Sequence, residues 1–171
     1  MVKAEIDEVL RYHKLWLNGD EGGSRADLTS ADLRDADLSF ADLRGSDLRS
    51  ANLTSADLRD ADLRGSDLHR ANLRGSDLRS ANLTPADLRD ADLRGSDLRG
   101  ADIDYASFTM SCNFSRFTCD LKIIYQLLAH VASLDVDGDG AEEFAAIRSA
   151  ILPYAIKSHC ADDLEIKESA K

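Results

Sequence analysis

Cysteine occurs three times, proline twice and tryptophan once in this 171-residue chain, and aromatic residues make up only 6% of it. So few cysteines, in an odd number, do not make the disulfide framework of a small secreted domain, and the cytoplasm is the expected compartment. No apolar run approaches the ~20 residues that cross a bilayer, so no membrane partner is expected. The opening stretch, MVKAEIDEVLRY, carries charges of both signs where a secretory signal would need an apolar core. Positive charge is also in the minority: 21 Lys and Arg stand against 32 Asp and Glu, a formal net charge of −11. Direct binding to nucleic-acid phosphates, which needs a positive surface, is therefore not expected. Catalytic signals are missing too: there is no glycine-rich phosphate loop, no G-x-S-x-G and no distinctive Cys/His pairing. Neither an enzyme nor a cofactor is expected. Hydrophobic content of 43% and charged content of 31% fit a soluble globular chain.

What the chain does have is an internal repeat. From Ala26 to Tyr105 it reads as sixteen unbroken five-residue units. The first position is Ala or Ser and the second Asp or Asn throughout. The third is Leu at Leu28, Leu33, Leu38, Leu43, Leu48, Leu53, Leu58, Leu63, Leu68, Leu73, Leu78, Leu83, Leu88, Leu93 and Leu98, and Ile at Ile103. A seventeenth unit, Ala106 to Met110, keeps the pattern loosely. A period of five matches neither the 3.6 of a helix nor the 2.0 of a long strand. It fits a chain that turns a corner every five residues, with first and third side chains facing a common interior and the second facing out. Gly, Ser and Asp at the end of each unit suit turns. Periodicity thus leads to a narrow parallel solenoid with the sixteen third-position side chains as its core.

The run ADLRD-ADLRG-SDLRS-ANLTS resembles the pentapeptide repeat family, whose pattern is A(D/N)LXX. The resemblance covers residues 26–105 and implies an all-β solenoid with α caps: a right-handed quadrilateral parallel β-helix with four units per coil. Sixteen units then make about four coils. It also suggests a bacterial or phage type with a short N-terminal helix and a C-terminal helical segment, for which no activity is implied.

The flanks divide accordingly. Residues 1–25 form an N-terminal helical cap and linker, residues 26–110 the β-helix, 111–160 an irregular connector and C-terminal helical cap, and 161–171 a charged tail. Over residues 3–17, Ile6, Val9, Leu10, His13, Trp16 and Leu17 share one helical stripe, and Asn18-Gly19 supply a stop. The stripe is expected to lie on the first coil, because an uncovered solenoid end invites edge-to-edge association. Helices over about 121–134 and 141–159 are expected to pair as a hairpin on the last coil, with Pro153 dividing the second.

Two metal patterns arise and both fall short. Asp135, Asp137 and Asp139 followed by Glu143 match the first positions and the ninth of a calcium loop. Ala146 stands where a bidentate Glu is required, so the stretch reads as an acidic inter-helix turn. Cys112, Cys119, His130, His159 and Cys160 have no compact zinc spacing.

The expected function is a non-enzymatic scaffold that binds an unidentified protein partner, as a monomer or as a homodimer through an end cap. The resemblance implies an alternative, a DNA mimic that binds a type II topoisomerase such as gyrase. Residues 26–105 hold 17 Asp and 11 Arg, a net charge of 11 − 17 = −6. Duplex DNA would carry about −11 over the roughly 19 Å of four coils. Residues 41–70 and 71–100 are identical at 26 of 30 positions, differing at Asp42/Asn72, Ser55/Pro85, His69/Arg99 and Arg70/Gly100. Thirty residues are one and a half coils, so a duplication would move each side chain to the opposite face and preserve only core packing.

Overall fold

The computed structural model describes residues 1–108. They lie in the first of the two compact units into which the chain divides, Met1–Cys119 and Asp120–Lys171. The expected helical hairpin, the calcium-like loop with Asp135, Asp137, Asp139 and Glu143, the three cysteines and the charged tail lie outside the described residues.

From Asp27 onward the backbone pairs with itself in parallel at a constant offset of twenty: Asp27 with Asp47, Asp32 with Asn52, Asp37 with Asp57, and so on to Asn82 with Asp102. The two short strands β1 (Asp87–Leu88) and β2 (Ser107–Phe108) continue the same register. Twenty residues are four five-residue units, so each turn of the coil closes after four corners.

Interior units share one set of backbone bonds, which Pro85, lacking an N–H, cannot complete. The third-position N–H donates to the carbonyl of the second residue in the next coil, as Leu28 does to Asp47 at 2.7 Å. The second-position N–H donates back to the preceding coil, as Asp47 does to Ala26 at 3.0 Å. The fifth-position N–H of Ser30 reaches the Arg49 carbonyl at 2.8 Å. The corner itself is closed by the next unit's first N–H, as in Ala31 to Leu28 at 3.0 Å. A bond from residue i+3 back to residue i with positive φ at i+2 is a type II-like turn. Fifteen of the sixteen fifth residues have φ between 56° and 76°, and Pro85 does not. Gly, Asp and Ser at these corners follow from that requirement, since the left-handed region penalises a Cβ.

All sixteen third-position side chains are at most 1% exposed. With the backbone stacked in register, each lies over its counterpart twenty residues away. The first positions fill the remaining space and are all buried from Ser46 onward, with Ser46, Ser66, Ser76 and Ser96 replacing Ala. Three of those serines donate their hydroxyl to a backbone carbonyl, Ser66 to Leu63, Ser76 to Leu73 and Ser96 to Leu93, which lets a polar side chain sit in the core.

Helix α1 spans Lys3–Asn18 and ends at Gly19 with φ 74°. The Gly19 and Asp20 amides close on Trp16 and Leu15, a glycine C-cap. Ile6 and His13 are its buried residues. Trp16, placed on the buried stripe by its spacing, is 42% exposed. Its ring stacks on His13 with centroids 5.5 Å apart and lies over the corner glycine Gly45. The His13 imidazole takes the buried place that an apolar residue would otherwise fill.

Candidate functional site

The surface of the coil is built by the second and fourth residues of each unit. Every second-position Asp or Asn accepts the fourth residue's backbone N–H on Oδ1, at 3.0 Å for Arg89 to Asp87 and 3.4 Å for Arg44 to Asp42. This is an Asx turn that satisfies an amide the inter-coil ladder leaves out. The spacing rules read these acids only as solvated repeat positions. The usable signal was that Asn substitutes for Asp whereas Glu, Ser and Thr never do, which identifies the short-armed Oδ1 rather than the charge as the required group.

Where the fourth residue is Arg after Asp, its guanidinium doubles back on the same carboxylate. Arg34 donates to Asp32 through Nε at 2.8 Å and Nη2 at 2.6 Å, and Arg49 to Asp47 at the same two distances. The hydrogen bonds from Arg34 and Arg49 hold the Asp32 and Asp47 carboxyls at about 2. Arg44, Arg59, Arg79, Arg89, Arg94 and Arg99 likewise lower Asp42, Asp57, Asp77, Asp87, Asp92 and Asp97. Several of the same guanidiniums reach the next coil more loosely, Arg59 to Asp77 at 3.7 Å and Arg79 to Asp97 at 3.9 Å. Exposed pairs of this kind contribute little to stability. Their consequence is for recognition: a shallow hollow of about 370 Å³ beside Arg59, Arg79 and Arg99 offers guanidiniums already engaged by their own carboxylates.

By face, second and fourth positions sum to −2 along Leu28/Leu48/Leu68/Leu88, +1 along Leu33/Leu53/Leu73/Leu93, −1 along Leu38/Leu58/Leu78/Leu98 and −2 along Leu43/Leu63/Leu83/Ile103. No face is a continuous acidic stripe. His69 sits 3.5 Å from the Asp90 carboxylate, in a fourth position that most other units fill with Arg. Among the described residues no group of three or more His, Cys, Asp or Glu is placed to hold a metal ion, and no helix is long and apolar enough to cross a membrane.

The other chemically distinct place is the joint between α1 and the first coil. The Ala26 N–H donates to His13 Nδ1 at 3.0 Å, which fixes the neutral tautomer with its proton on Nε2. Nε2 is buried and meets no partner within hydrogen-bond geometry. Burial lowers the His13 pKa from 6.5, as do Arg25 and Arg44, while Asp42 and the Arg44 backbone oppose the shift. Protonation would put a second proton on Nδ1 and oppose the Ala26 N–H. The unfolded chain takes up that proton near pH 6.5 and the folded chain only below it, so stability from this group is present above 6.5 and falls as the pH drops through the window beneath. The expected slope is at most about 1.4 kcal/mol per pH unit. Urea unfolding of the native chain and of His13→Gln between pH 5 and 7.5 measures it: the native chain should lose stability more steeply, and parallel curves would count against the assignment.

Comparison with known proteins follows the same residues. The model of the pentapeptide repeats matches eight copies over residues 24–49, 46–84 and 76–116, more than half of the chain. Among solved structures, the chain is similar to the pentapeptide repeat protein Rfr23 from the cyanobacterium Cyanothece, with 32% identity over 57% of this chain and 67% of that one and a TM-score of 0.49. A pentapeptide repeat protein from the Arabidopsis thaliana thylakoid lumen is 23% identical over 68% of this chain and 88% of that one, with a TM-score of 0.48. The plasmid-mediated fluoroquinolone resistance protein QnrB1 is 16% identical over 61% and 72%, with a TM-score of 0.29. No curated protein matches the chain.

Proposed function

The chain belongs to the pentapeptide repeat family, and from that premise we propose that it is a non-enzymatic interaction module. In this reading a right-handed quadrilateral β-helix of about four coils presents fixed surfaces to a protein partner. The observation that supports it is the unbroken twenty-residue register. A coil locked by inter-coil bonds at every unit holds surface groups at set spacing, and preorganised surfaces lose little entropy on binding. The surface chemistry agrees with the reading, since its carboxylates are tied into turns and ion pairs rather than converging on a reacting atom. Helix α1 closes the near end of the coil, where the Ala26 N–H meets His13. Association, if the module is not monomeric, would run through an end cap.

The alternative is a DNA mimic directed at a type II topoisomerase. The net charge of −11 favours it. The pairing of Arg with Asp opposes it, because a mimic of phosphate rows needs uncompensated negative charge at regular spacing. The two readings part in one pair of measurements. The full chain should retain a protein partner from its host, stoichiometrically and without turnover of small molecules. It should leave DNA gyrase supercoiling unaffected at low-micromolar concentration. Inhibition in that range would replace the scaffold reading with the mimic.

A further inference from the structure

Two side chains of α1 are buried, Ile6 and His13, and the second is a base. Its imidazole is closed off from solvent, stacks on Trp16 with centroids 5.5 Å apart, and takes the Ala26 N–H on Nδ1 at 3.0 Å. That bond ties the helix to the first residue of the coil. Other ties are peripheral: the Ser24 N–H donates to the Tyr12 carbonyl at 3.1 Å, and the exposed Met1 ammonium donates to the Asp32 carbonyl. Among the described residues, the buried side-chain polar atoms without a partner are His13 Nε2 and Ser46 Oγ. Ser46 stands over Ala26 in the register and follows the corner glycine under Trp16. Both lapses therefore fall at this joint, and an unmet buried polar group weakens the contact that buries it.

The ring has nowhere to put a second proton. Nδ1 faces an N–H, and protonation turns it from an acceptor into a donor. Asp42 and Arg44 face the ring from the coil, Arg25 from the linker and Trp16 from α1 itself. Asp42, the acid among them, is already engaged by Arg44 through Nε at 2.8 Å and Nη2 at 2.7 Å. Detached from the coil, the same imidazole takes a proton near 6.5 without that conflict. The coil does not depend on the helix. Its ladder runs from coil to coil, beginning with Leu28 to Asp47, and no rung includes a residue of α1. A segment held by so few buried groups can open while the rest stays folded.

We propose that α1 is an acid-released cap: protonation of His13 detaches the helix from the first coil, and the coil remains intact. The device goes beyond the interaction-module reading and does not depend on it. Release uncovers a backbone edge. Every second-position amide from Asp47 to Ser107 donates to the coil before it, whereas those of Asp27, Asp32, Asp37 and Asp42 meet no backbone carbonyl among the described residues. An edge of that kind can pair with an extended chain. Acid would thus open the near end of the coil to association.

Trp16 is the chain's one tryptophan, so its emission reports the joint. Between pH 7.5 and 5 the full chain should show a reversible red shift of that emission, with a midpoint below 6.5. Hydrogen exchange, corrected for its intrinsic pH dependence, should quicken about tenfold or more across residues 3–18 and stay slow from Leu48 to Leu83. Imidazole ¹⁵N spectra should show the His13 ring, neutral with its proton on Nε2 at pH 7.5, taking up a proton over the same range. His13→Gln offers an oxygen to the Ala26 N–H and has no titrating group, so it should lose the transition. An equal shift in His13→Gln, no shift down to pH 5, or loss of protection in the coil at the same midpoint as in α1 would each overturn the proposal. Should His13→Gln leave α1 exchanging freely at every pH, the native chain decides. Coincident midpoints for the His13 ring and Trp16 then support the cap, and separate ones overturn it.

Discussion

Leu58→Ala is expected to lower the unfolding free energy by about 2–5 kcal/mol, in the upper part of that range. The Leu58 side chain is fully buried. The register places it in one column between Leu38 and Leu78. A cavity costs most where its walls cannot close, and here the walls are pinned: Leu58 donates its N–H to Asp77 at 2.8 Å and Leu38 donates to Asp57 at 2.8 Å. Moving either neighbour inward would break the ladder that defines the coil. Urea unfolding followed by far-ultraviolet dichroism reads the effect, and a loss below about 1 kcal/mol would show that the core relaxes more freely than the bonded backbone permits.

Ser55→Pro is the second change expected to have a large effect, and its opposite partner makes the argument symmetrical. Ser55 sits at a corner with φ 57°, and its N–H donates to the Arg74 carbonyl at 2.9 Å. Proline cannot reach that φ and has no N–H, so the corner must rearrange and one inter-coil bond is lost. A cost of about 3 kcal/mol or more is expected. The corresponding residue thirty positions on is already Pro85, the one corner of the sixteen without positive φ. The turn there still closes, with Ala86 donating to Leu83 at 2.5 Å. Pro85→Ser should restore the common geometry and raise the denaturation midpoint. If Ser55→Pro is tolerated as well as Pro85 is, the positive φ of the corners is a habit of the chain and not a requirement of the coil.

The sequence alone determined that the chain coils, and which side chains face inward. A strict Leu spacing of five with small first residues leaves one arrangement in which every Leu escapes water, and hydrophobic burial makes that pattern readable without coordinates. It also marked α1 and its glycine stop, because a helical stripe and a left-handed cap are local features. Tertiary structure decided what depends on residues twenty or more apart. The offset of twenty is set by backbone bonds between coils, to which all units contribute alike, so no single unit announces it. The role of the second-position Asp and Asn is a hydrogen bond to a turn that exists only once the corner has formed. Trp16 lies half open and His13 fully closed because packing against the Gly45 corner and the Ala26 amide selects shape and hydrogen bonding over hydrophobicity. The joint of α1 with the first coil, where the Ala26 N–H meets His13 Nδ1, forms between residues thirteen apart, and that separation hides it from any periodicity.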